Sequence, residues 1–175
     1  MTWKSFHNRG EVLRSVITTA NERRDGLLPM DAEGVAETFG DELTLLAALQ
    51  LKWHTRLMGA IERELMTQPL DLLGAVENAW GHTYDELPGI RLVLDHYRAE
   101  PLDAAMRTAM GKATGKEHAM LAAMAGRASV NDPAAIPVGA RIEQRARDVH
   151  RGLAVLSVEV PRPSFLDRLR SALAA

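Results

Sequence analysis

Three polar side chains fall where a helical reading of the sequence places apolar ones. Gln50 and His54 stand one helical turn apart in the run from Asp41 to about Met66. Projected at about 100° per residue, residues 43–66 centre an apolar stripe on Leu43, Leu46, Leu57 and Ile61, and both fall inside it. Glu117 lies near the middle of a second stripe made by Met106, Met110, Ala113, Met120 and Met124. A buried carboxylate is costly unless paired, so Glu117 is expected to meet a partner or to line a cavity. Two readings follow. In one, Gln50, His54 and Glu117 face a pocket between helices and hold a small ligand or a metal. In the other they form a satisfied core network, with His54 bonded to Glu117 or to a backbone carbonyl. Most buried polar groups are hydrogen-bonded to the rest of the protein, which favours the second.

Other candidates carry less. Glu117 and His118 are adjacent, which aims them about 100° apart on a helix, whereas a di-metal carboxylate bundle needs a Glu-x-x-His spacing. His82 and Glu86 share a flanking face and read as a solvated pair, and Asp95-His96 lies opposite Ile90, Val93 and Tyr97 and reads as exposed. No nucleophile elbow, phosphate-cradling loop, His-Glu-x-x-His or dinucleotide fingerprint is present. With no cysteine, disulfides, zinc-thiolate sites and thiol catalysis are excluded. The expectation is a protein without catalysis, cofactor or assigned metal ligands.

The elements that must position these residues are helical. Ala, Leu, Met, Arg and Glu are abundant, while β-branched and aromatic residues are sparse. Seven to eight helices are expected in a single-domain all-α bundle. It divides into an N-terminal part (1–67), a helical part packed on it (68–152) and a C-terminal arm (153–175). A capping box at Asn8-Arg9-Gly10-Glu11 predicts a first helix over 9–24. Asp31 is expected to cap a short helix carrying Ala32, Val35 and Phe39. A long helix then runs over 41–66, with room for one interruption near Gln50. Asp71 and Asp103, in the related stretches QPLD and EPLD, are expected to cap two more helices. Pro88-Gly89 should break the chain between them, and a last bundle helix is expected near 139–151.

The stretch Val35–Gln50 has the spacing of a helix-turn-helix. Ala36 and Gly40 supply the small residues at the contact and the turn, and Val35, Phe39, Leu46 and Leu49 the apolar positions. With Leu57, Ala60 and Ile61 following without a gap, the N-terminal 65 or so residues resemble the tetracycline-repressor-like (TetR) family. That resemblance implies a DNA-reading N-terminal part, with Thr44 and Lys52 as its candidate DNA contacts, and a helical part that senses a ligand. The chain departs from the family at the turn, which reads Asp41-Glu42-Leu43, and in the reading helix, where Leu46, Ala47 and Ala48 replace aromatic and polar groups. Residues 1–67 hold eight Lys and Arg against ten acids, which disfavours a polyanion.

The function expected is therefore a regulatory, non-catalytic helical protein acting through protein contacts or self-association. A TetR-like regulator, and a bundle binding a small molecule or metal at His54 and Glu117, are the alternatives. With no run of about 18 apolar residues and no signal-like N-terminus, a soluble cytoplasmic protein is expected, with no membrane partner. Residues 139–175 carry seven Arg against four acids. There Ser164 is expected to cap a helix over 164–174, whose Phe165, Leu166, Leu169 and Leu173 would contact a second copy or another protein.

Overall fold

The computed structural model describes residues 3–67 and 70–157, with side chains from 9 to 67 and from 70 to 152. Seven α-helices and no strands occur among these residues: α1 (Trp3–Arg23), α2 (Val35–Phe39), α3 (Glu42–Thr67), α4 (Leu72–Glu86), α5 (Pro88–Ala99), α6 (Ala104–Met124) and α7 (Ala135–Ser157). The all-helical fold expected from composition and periodicity is the fold observed. None of these helices is long and apolar enough to cross a membrane. The helix expected over 164–174, with its contacts, lies outside the described residues.

Side-chain caps start three of the helices. Asp41 accepts from the Thr44 amide (2.7 Å), Asp71 from Gly74 (2.9 Å) and Asp103 from Met106 (2.7 Å), each satisfying a donor that the first turn leaves free. The acids at the Gly40 turn thus have a structural role: Asp41 caps α3 and Glu42 sits in its first turn, where the helix dipole favours negative charge.

Three local expectations need correction, and the interruption allowed for near Gln50 does not occur. Helix α1 begins at Trp3, so Asn8 lies inside the helix rather than at its start. Asp31 ion-pairs with Arg23 (2.6 Å), and α2 is entered instead through Gly34, whose φ of 75° suits a residue without Cβ. Helix α3 runs through Gln50 unbroken. Helix α7 starts at Ala135, before Pro137, because the first turn of a helix has no use for the amide that proline lacks.

Long α3 is the spine. Its buried residues Leu45, Leu46, Leu49, Trp53, Leu57, Ala60 and Ile61 join one apolar core with Val16 of α1, Trp80 of α4, Ile90 and Leu94 of α5, Leu121 of α6 and Ile142 of α7. The expected parts 1–67 and 68–152 therefore share a single core. Trp53 meets Trp80 edge to face, with centroids 5.9 Å apart. Two glycines allow backbones to touch. Gly89 opens α5 against the backbone of Ala20, with its amide bonded to Asn21 Oδ1 (2.9 Å), and Gly139 lets α7 lie on the carbonyl of His118 in α6.

Candidate binding site

Glu117 is buried, as its place in the Met stripe requires. Its carboxylate accepts from Gln50 Nε2, Trp53 Nε1 and Arg91 Nη1, each at 3.2 Å. Gln50 and Glu117 are thus brought together as expected, whereas His54 makes no bond to Glu117. One residue past Trp53, His54 is turned about 100° away on α3 and points to a cleft instead.

The cation that compensates Glu117 was missed in the sequence. Arg91 is fully buried, stacks its guanidinium 4.9 Å from the Trp53 ring centre and pairs with Asp95 (2.8 Å) one turn on. The signal was available: Arg91 sits beside the apolar stripe of α5, with an acid at i+4. Asp95 is not an exposed bystander. It takes two hydrogen bonds of 2.8 Å from Arg147 of α7 and so links α5 to α7. His96 is half-buried, edge-on to Tyr97.

The chain of charges continues through Glu143, whose carboxylate meets Arg147 (2.6 Å), Arg98 (3.3 Å) and His118 Nε2 (2.6 Å). Burial opposes ionisation of Glu143. The hydrogen bond with His118 and the charges of Arg98, Arg91 and Arg147 outweigh it and hold this carboxyl far below the usual carboxylate range. Arg147 is likewise pushed down by burial and held up more strongly by Asp95 and Glu143. Three acids balance three arginines in this network, which clamps α3, α5, α6 and α7 together. His82 and Glu86 do not pair with each other: His82 meets Glu64 (3.2 Å) and Glu86 meets Arg56 (2.6 Å), and both contacts tie α4 to α3.

Above the network, α3 presents a ridge of Leu43, Ala47 and Leu51 between two clefts. On the α6 side lies a cleft of about 280 Å³ containing Gln50, His54, Met110 and Lys116. On the α1 side lies a groove of about 690 Å³ containing Leu13, Ala48, Thr44, Lys52 and Arg9. The two residues marked as candidate DNA contacts, Thr44 and Lys52, thus face the second groove. Leu51 at the crest is 65% exposed, and with Leu43 and Ala47 it makes a continuous apolar strip rather than a single exposed residue. Around the corner, Glu11, Glu33 and Glu37 line a polar recess on the α1–α2 face. Among the described residues no three of His, Asp and Glu converge as metal ligands would.

Compared with family models, with curated proteins and with solved structures, the chain matches none.

Proposed function

We propose that this chain is a non-catalytic, cytoplasmic binding protein that receives an acidic amphipathic helix of a partner protein in the groove between α1 and α3. The observation that carries the reading is the exposed apolar ridge of α3 beside an open groove whose lining holds two cations, Arg9 and Lys52, and no carboxylate. Residues 43–55 span about 18 Å, roughly three helical turns, which matches the footprint of a guest helix with apolar anchors at i, i+4 and i+8. Charge selects the guest. An acidic flank is attracted by Lys52 and Arg9, whereas a guest with basic flanks, such as one of the composition of residues 164–174 with Arg168 and Arg170, would be repelled there.

The same observations weigh against a DNA reader. Asp41, Glu33 and Glu37 flank the α2–α3 turn and would face the phosphates. Ala47, Ala48 and Leu51 offer base edges neither donors nor acceptors.

Fluorescence anisotropy with a labelled three-turn peptide, Leu on one face and Glu on its flanks, tests the reading. Binding on the order of micromolar is expected, weakening with salt, and at least tenfold weaker for the counterpart with Lys flanks. Lys52→Glu should reverse that preference and Ala48→Arg should block both peptides. Equal binding of the two peptides, or none, removes the proposal. Salt-sensitive retention of duplex DNA that is lost in Lys52→Ala would replace it with the DNA-reading alternative.

A further inference from the structure

The cleft between α3 and α6 has two unlike ends. Gln50 and Trp53 both reach Glu117, so residues 50–53 stand level with 117 on α6. Residues 43–54 and 109–116 line one cleft, and only helices running in the same direction keep 109–113 beside 43–47. Lys116 therefore lies at the end that holds Gln50 and His54, while Leu43, Leu46 and Met110 form the other.

Charge decides what fits. No carboxylate lines the cleft. The nearest, Glu117, lies behind Gln50, accepts from three donors and is neutralised by Arg91. Three donors occupy most of its acceptor sites, and Arg91 compensates the charge that would draw a cation. Among the described residues, Lys116 and His54 form no side-chain hydrogen bond or ion pair, and both can donate. An apolar trough closed by a fixed cation and an imidazole complements an anion with an apolar tail.

We propose that this cleft binds a small amphiphilic carboxylate, its tail against Leu43, Ala47 and Ala113 and its head at Lys116 and His54. The volume of about 280 Å³ limits the tail. It lies just below the ~300–1,000 Å³ of drug-sized sites and well above the ~150 Å³ apolar cavity that holds a benzene ring. A chain of about eight carbons is the scale this implies. The site is separate from the helix-binding groove: the two share only the ridge of Leu43, Ala47 and Leu51, and their other walls belong to different helices.

Octanoate, octanol and octylammonium serve as probes, titrated into the full chain by calorimetry, with the Gln50 side-chain amide signals followed by NMR. Octanoate should saturate one site with a Kd below about 1 mM and shift those signals, octanol should bind about tenfold more weakly, and octylammonium should not compete. Lys116→Met, at an exposed position that leaves the fold intact, should bring octanoate down to the level of octanol without changing octanol. Ala113→Phe, filling the trough, should abolish both. The proposal is overturned if octanol or octylammonium binds as tightly as octanoate, if Lys116→Met leaves octanoate unchanged, or if the shifts fall away from Gln50.

Discussion

Glu117 accepts three donors from two helices, and Arg91 answers its charge with no exposed surface of its own. Breaking such a pair from one side leaves the other charge stranded. Arg91→Met should therefore cost about 3–5 kcal/mol in urea unfolding, and adding Glu117→Leu should recover much of that loss. A loss no greater than that of Glu100→Ala, at an exposed site, would show that the pair carries little. Glu77 is a poor control, since it is buried and paired with Arg145 (2.7 Å). Glu143 gives a pH signature. A carboxyl held below its unfolded value of 4.5 contributes stability that is fully present above that value and fades as pH falls through and below it. Melting temperature should drop between about pH 5 and about pH 3, more steeply in the native chain than in Glu143→Gln. Parallel pH profiles for the two proteins would contradict this. Periodicity made the burial of Glu117 legible because it assigns a face. The spacing of Arg91 and Asp95 marks a pair beside the α5 stripe, but it could not match Arg91 to Glu117, because the register of one helix against another is absent from any single stripe.

At the scale of elements, what the sequence made readable was chemistry confined to one turn. Asp71 and Asp103 each bond an amide three residues ahead, and their role followed from residue type and position alone. The start of α1 did not, because the box at Asn8 is overridden by a helix already running from Trp3. The start of α7 lies at Ala135 rather than near 139, because Pro137 occupies a first turn, where proline is tolerated. Asp41 looked anomalous only as part of a DNA-reading turn, and as a cap it is ordinary. Asp41→Ala should destabilise the protein by about 0.5–2 kcal/mol, and Asp41→Ser should restore most of this. If both variants unfold at the native denaturant concentration, the cap contributes nothing. Glycines separate packing from propensity. Gly139→Ala drives a methyl group into the His118 backbone and should force α7 off α6, whereas Gly111→Ala meets nothing within 4 Å and should stabilise α6 by about 0.5–1 kcal/mol. Chemical denaturation of the two variants checks both signs, and a tolerated Gly139→Ala would mean that α6 and α7 are not in close contact.

Across the whole molecule, one core spans the boundary expected at residue 67, and one charge network spans α5, α6 and α7 and is tied to α3 through Gln50 and Trp53. Together they hold α3 rigidly enough that its outer face can stay apolar without collapsing. The expected polar cluster divides accordingly: Gln50 and Glu117 belong to the network, and His54 belongs to the cleft above it. Sequence periodicity located α3 and its stripe and placed Leu46 correctly in the core, yet it counted Leu43, which is only half-buried, on the same closed face. Only packing shows that α1 and α6 stand apart there and leave the ridge open. The central claim, that this face is where a partner docks, is tested most directly by NMR titration of the amide-labelled protein with the acidic three-turn peptide. Saturable shifts should concentrate at Thr44, Ala47, Ala48, Leu51 and Lys52, with α4 and α7 unmoved. Shifts centred on α4 and α7, or an unchanged spectrum at millimolar peptide, would contradict it.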